Sequence, residues 1–443
     1  MGRRTIRGIL RKSLSLACLA LAVSWFHPVF PPDAAAAADL TLSSKTYGLY
    51  SEKEVAGGQT ERYAPLYEYL SADATNLGGK PVAIHFYGWG RADLADASGS
   101  GKTSGDIGSL YLEYLHPQGN AQVKAGRFLL AEGVAMETLD GGFARMTMPF
   151  GLGISAYGGG PVEHSILDNT KKGDSLFGGR VFFARPGFVE IGASYLKENG
   201  SFQGKNRELY GGDLWLRVAG QVELTGQVAY NQAEREIASQ RYAVRIVSGP
   251  TFDISAGYES YTYKGLFQPS LNPAFVPPSV DNADKVQTIF GVLDWGFLPG
   301  WTLELAAKDI RHDKSDPGNA DRGEIGVRYA YNGRKDVAGL SAAFVAADRD
   351  ENEYQEYRGF ASYSPAKLRL ALDALAQQYK KEPVPGVGKK NAYQVVASAG
   401  YQLLASLLLS GDLTYTQSPN YQKDYAGLIR ATLELGTSTG GKK

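Results

Sequence analysis

The groups in this chain that could do chemistry are charged residues placed on alternate positions of extended segments: Glu190, Asp213, Arg217, Glu223, Asp253, Glu304, Lys308, Glu324, Arg328, Arg369, Asp373, Arg430 and Glu434. Ions of both signs are costly to remove from water unless each finds a partner, so the pattern points to a wetted surface met by solutes or ions. Patterns that would carry catalysis fail on inspection. His85, His116, His164 and His312 are scattered, without the spacing of metal ligands. The run SGSGKTSGD from Ser98 to Asp106 looks like a phosphate-binding loop, yet Asp96 stands where the first glycine belongs and a strand pattern follows in place of a helix. No spacing brings a serine and a histidine, or an acid and a histidine, into one set. The chain therefore reads as a non-enzyme with no metal site and no cofactor.

Positioning those charges requires a strand whose two sides differ. Asp213 to Asn231, DLWLRVAGQVELTGQVAYN, shows it: Leu214, Leu216 and Val218 alternate with Asp213, Trp215 and Arg217, and Val222, Leu224, Gly226, Val228 and Tyr230 resume the apolar side. A period of two marks an extended segment with unlike surroundings on its faces. A three-residue loop, Ala219 to Gln221, sets Val218 against Val222, Leu216 against Leu224 and Leu214 against Gly226; a two-residue loop would set Leu216 against Glu223. The same parity sets Ile246 against Ile254, Leu293 against Leu305 and Leu403 against Leu407. Across four-residue turns it sets Tyr114 against Val123 and Ala361 against Leu370.

Alternating segments recur from residues 40–50 to 422–436 and number about 22, within a range of 18–22. Links from even to odd segments are brief, as at Pro149 and Phe150 or at Leu298 to Gly300. Links from odd to even are mostly longer and rich in Gly, Pro, Asp and Lys. That sorting predicts an all-β fold, an antiparallel transmembrane β-barrel over 39–436 with short periplasmic turns and longer extracellular loops, followed by a tail at 437–443. Aromatic residues on the apolar face form two girdles. Phe183, Phe252, Phe297, Trp301, Tyr331, Tyr363 and Tyr401 lie beside short turns; Tyr195, Tyr230, Tyr258, Tyr357, Tyr393 and Tyr415 lie beside long ones. The opposite face, with the charges named above, lines a lumen. Its best constriction candidate is Gly265 to Asp284, where Phe267, Leu271, Phe275 and Val276 mix with four prolines, and Gly159 to Gly173 is a weaker one.

Arg3, Arg4, Arg7, Arg11 and Lys12 precede an apolar run from Leu14 to Val23, and Ala36-Ala37-Ala38 precedes Asp39, which is the layout of a signal peptide over 1–38. Its cleavage removes the single cysteine, Cys18, and with it thiol nucleophiles, disulfides and covalently attached haem. Equal numbers of acidic and basic residues, 46 of each, argue against nucleic acid.

Tyr63 to Asp96, YAPLYEYLSADATNLGGKPVAIHFYGWGRADLAD, and Gly126 to Arg145, GRFLLAEGVAMETLDGGFAR, resemble outer-membrane channel proteins of metal-reducing bacteria, and a fainter likeness continues through GGRVFFARPGFVEIGASYL. Members of that group are regarded as pores, some sheathing multihaem cytochromes. The resemblance implies a channel, with a multihaem cytochrome as a further partner. Two departures stand out: the processed chain lacks an N-terminal cysteine pair, and the last strand, YAGLIRATLEL, does not end on an aromatic residue.

The expectation is a porin-like channel in the outer membrane of a Gram-negative bacterium, passing small solutes or ions by passive diffusion through a hydrated lumen of mixed charge, with membrane lipid around it. The alternative is a barrel scaffold for a multihaem cytochrome electron conduit.

Overall fold

The computed structural model describes residues 38–437 apart from 56–58, 95–102, 164–170, 173–174, 200–205, 250, 263–283, 315–317, 385, 387 and 420. The expected signal peptide at 1–38 therefore lies, but for Ala38, outside the described residues. All described strands belong to one antiparallel sheet of 24 segments. Gln59–Tyr63 and Pro65–Thr75 both pair with Asp39–Val55, and Lys171–Lys172 and Ser175–Arg185 both pair with Leu152–Glu163. Each pair is one interrupted strand, so the ring has two fewer staves than segments, which is 22. Asp39–Val55 pairs with Tyr421–Thr437, from Leu40↔Thr437 to Lys53↔Asp424, and closes the sheet on itself.

Closure follows from the period-two pattern. A sheet with one apolar side and one charged side can hide neither edge nor face unless it curls into a cylinder, and then its first and last strands pair with each other. The apolar side stays bare: Leu340 is 72 %, Leu413 72 % and Ile429 73 % exposed. Such a band around a closed ring needs hydrocarbon outside it. The girdles form as contacting rings, with Trp301 and Tyr329 4.7 Å apart, Tyr329 and Tyr331 5.7 Å apart, and Tyr415 and Tyr425 5.1 Å apart. The alternation is not strict: Asp309 and Asp321, opposite each other, take the apolar parity. Glu68 has the parity of the apolar side, and its two oxygens accept from Ser44 Oγ at 2.6 Å and Thr46 Oγ1 at 2.5 Å.

Most expected registers hold, including Val218↔Val222, Ile246↔Ile254, Leu293↔Leu305 and Tyr114↔Val123. Two need correction. Leu407 pairs with Leu404 and not Leu403, because the ladder slips between Gln402 and Leu404, where the Gln402 amide donates to the Leu404 carbonyl at 2.8 Å. Leu370 pairs with Tyr363 and not Ala361. Pro365 has no N–H for the ladder and Ala366 takes φ 48°, so the turn is wider than parity alone requires. The two corrections differ in kind: the second keeps the same face, whereas the first is a bulge.

Wall pairing is uneven at one junction. Thr103–Leu115 ladders with Ala121–Glu132 only from Leu110↔Arg127 to Leu115↔Gln122, so the two strands part above Leu110. Gly126, at φ 124°, sits at the parting, and a Cβ there would collide with the Leu110 carbonyl and Tyr111.

Ile429→Arg is expected to cost about 2–4 kcal/mol if the residue sits at mid-band, the usual penalty for arginine on a lipid face. Gln377→Arg, on the opposite face beside Glu356, should cost little. Urea titrations of refolding into lipid vesicles measure both.

Candidate functional site

Following the registers around the ring, Glu190, Asp213, Arg217, Glu223, Glu304, Lys308, Glu324, Arg328, Arg369, Asp373, Arg430 and Glu434 all fall on the face opposite the apolar band. Most are tied to a neighbour across the ladder. Arg217 reaches Glu223 at 3.0 Å, Arg328 reaches Glu304 at 2.9 Å, Arg358 reaches Asp373 at 3.0 Å, and Arg430 reaches Asp412 at 2.5 Å. Arg322 bridges Glu324 and Glu356, each at 2.9 Å. Lys308, Arg369 and Glu434 have no ion-pair partner among the described residues. The cation in these pairs is arginine, whose planar fork fits a carboxylate in one orientation and fixes the wall chemistry more sharply than a lysine would.

Exposure divides this face into two regions. Arg217 is 46 % exposed, so its pair with Glu223 is a solvated one. Arg180, by contrast, is 5 % exposed, and it holds Asp213 and, at 2.7 Å, Glu190. Phe182, itself 2 % exposed, lies under two guanidiniums, with Arg145 4.2 Å and Arg180 4.9 Å from its ring centroid. Around this group runs a dry cluster of Phe128, Leu130, Leu139, Phe143, Tyr157, Leu176, Leu196 and Leu209. These apolar residues share the charged face, since Phe128 pairs with Leu139, Phe143 with Lys124 and with Tyr157, and Leu196 with Gly178.

The cover over that cluster is a hairpin formed by Ala121–Glu132 and Ala135–Thr147. Its tip, Gly133–Val134, belongs between two neighbouring staves yet reaches past Leu152–Glu163 and Ser175–Arg185. Val134 N–H donates to Ser194 Oγ at 3.1 Å, and Val134 fills the space that a Cβ on Gly211 would need. Glu132 lies 3.2 Å from Arg145 and 3.7 Å from Arg180, while Arg207 is paired with Glu137 and, at 3.4 Å, with Glu198. The hairpin thus lies across the charged face, latched by ions at its rim and by apolar contact beneath.

Sequence alternation missed this element. Phe128 and Leu130 occupy positions whose parity predicted polar residues, and GRFLLAEGVAMETLDGG carries glycines at both shoulders, Gly126 and Gly141–Gly142, with Gly133 at the tip. Apolar residues on both parities, bracketed by glycine, were the available signal. The loop proposed for constriction is not informative: Phe267, Leu271, Phe275 and Val276 lie outside the described residues. Asp284, at its end, is fully buried, bonded to His312 Nδ1 at 2.6 Å and accepting from the Lys314 N–H at 2.9 Å.

Replacing Arg180 with Met should destabilise the protein by about 1–3 kcal/mol, because a 5 % exposed guanidinium that bonds two carboxylates is lost, while Asp213 and Glu190 keep 24 % and 36 % of their side chains in contact with water. Arg217→Met should cost at most about 1 kcal/mol. Parallel denaturation curves in detergent distinguish the two.

Comparison of the sequence with protein-family models finds no match, and comparison with curated proteins finds none either. Among solved structures the chain is similar to the siderophore receptor PirA of Pseudomonas aeruginosa, with TM-score 0.56 and 12 % identity over 89 % of this chain and 80 % of that one. OccAB2 of Acinetobacter baumannii is similar at TM-score 0.46 and 10 % identity, over 90 % and 98 % of the two chains. At these identities the likeness concerns fold: the chain is a closed, 22-strand antiparallel β-barrel of the outer-membrane kind.

Proposed function

We propose that the chain is a porin-like channel of a Gram-negative outer membrane, exported through cleavage of the segment 1–38, and that small solutes or ions diffuse passively through its lumen. The observation that carries this reading is the solvated ring of arginine–carboxylate pairs on the face turned away from the apolar band. A barrel of this many strands encloses a wide interior, and paired charges of both signs are stable there only if water fills it. In this reading the twelve charged residues named above line the lumen and set a modest selectivity.

The hairpin tipped by Val134 narrows that lumen on one side, leaving the passage between it and the opposite wall. The alternative, a scaffold for a multihaem cytochrome, has no observation in its favour.

Single-channel recording of the purified protein in planar lipid bilayers is expected to show discrete conductance steps. A variant with Leu129–Thr138 replaced by a short turn should conduct severalfold more, and Gly211→Val, which expels Val134 from its notch, should raise conductance part of the way. A wild-type protein that folds, inserts and passes no current defeats the channel reading.

A further inference from the structure

The charged face carries, on its first strands, a group of rings outside the girdles, of which Tyr111 also packs against the dry cluster through Phe128. The ladder sets Tyr67 opposite Arg91, Tyr69 opposite Trp89, Ser71 opposite Tyr87 and Asp73 opposite His85, and His85 in turn opposite Tyr111. Tyr67 and Tyr69 are nearly parallel, at 18° and 6.3 Å, as are Tyr69 and Tyr87, at 19° and 6.4 Å, and His85 stacks on Tyr111 at 4.7 Å. The rings descend from level to level along the wall, from the long-loop side toward the short-turn side. Outside the dry cluster, other aromatic residues of this face stand singly beneath an arginine, as Trp215, Phe290 and Phe360 do, among small or charged residues such as Ser341, Gly326 and Glu304.

Both ends of the column are polar. Arg91 stands at the upper end, 5.5 Å from the centroid of Tyr63 and 6.0 Å from that of Tyr67. At the lower end His85 lies 2.6 Å from Asp73 and 3.0 Å from Glu113. Tyr69, Tyr87, Trp89 and Tyr111 line a cavity of about 500 Å³ whose far side is Phe128 and Leu129 of the inturned hairpin. That size suits a small ligand. The narrowed passage therefore has one aromatic wall, and Tyr87 is 39 % exposed on it.

We propose that this column is a binding track for neutral polyhydroxylated rings, that is, pyranose units of linear oligosaccharides. The inference rests on the channel reading for its route of access. A sugar ring presents a C–H face that packs on an aromatic face and a rim of hydroxyls that needs acceptors and donors. The column offers ring faces in sequence, with Asp73 and Ser109 as acceptors and the tyrosine hydroxyls as donors. A flat aromatic ligand would strip water from Asp73, which is 42 % exposed, and offer it no donor in return. An anion would meet Asp73 and Glu113, and a cation would find both carboxylates already bonded to His85.

Two measurements with maltohexaose test it. In detergent, the sugar should change the tryptophan fluorescence of the full chain saturably, and Trp89→Phe should abolish the change. In bilayers, it should interrupt the current reversibly, with a blocking constant about tenfold weaker in Tyr69→Ala and in Tyr87→Ala, the size expected for loss of one ring contact, and near that of the unaltered chain in Tyr87→Phe. Current without sugar block or fluorescence change overturns the track and leaves the channel standing. Fluorescence titration without current overturns the channel and leaves the track standing. Block by naphthalene sulfonate but not by maltohexaose overturns the assignment to sugars.

Discussion

The structure depends on one requirement: in hydrocarbon each backbone N–H and C=O must be bonded within the protein, since no water is there to serve it. A strand meets that requirement only through neighbours on both sides, so the sheet has to return to its first strand. The ladder between Asp39–Val55 and Tyr421–Thr437 is where it does so, joining the two ends of the described chain. Ring closure then fixes the rest. It gives each residue one of two environments, and the period-two sequence separates apolar from charged residues accordingly.

Within the ring a second balance operates. Most charge pairs on the polar face keep water on them and contribute little to stability. Where the hairpin folds over Ser175–Arg185 and its neighbours, Arg180, Glu132 and Phe182 are buried, and the same residue types become a tighter network: Arg180 between Asp213 and Glu190, with Phe182 stacked between two guanidiniums. Phe128, Leu139, Leu176 and Leu196 are 1 % exposed or less and supply the apolar contact that holds the cover down. One face thus carries two kinds of surface, divided by where a single turn comes to rest.

The strands and their facing were legible in the sequence because each rests on local alternation that a neighbour must match. Val218 had to meet Val222, and Ile246 had to meet Ile254, or a charge would have pointed at lipid. Departures occur where side chains or proline alter the count, as at Gln402 and Pro365. The hairpin was not legible, since its destination depends on contacts such as Val134 with Ser194 and Gly211, about 60 and 77 residues further along the chain. Alternation states which side a residue takes; it is silent on a stave that leaves the wall. The aromatic column was likewise hidden, because Tyr67, Tyr69, Tyr87 and Trp89 read simply as residues that favour strands.

The departure of that hairpin leaves Thr103–Leu115 half zipped. Above Leu110 its neighbour is gone, and a side chain substitutes for part of the lost ladder: Arg127, gripped by Asp140 at 2.6 and 2.9 Å, donates to the Ile107 carbonyl at 2.9 Å. A guanidinium can let go and rebind where a backbone ladder must unzip in order. The cylinder therefore has a seam on one flank, where the strand ladder stops at Leu110 and Arg127 bonds across the gap in its place.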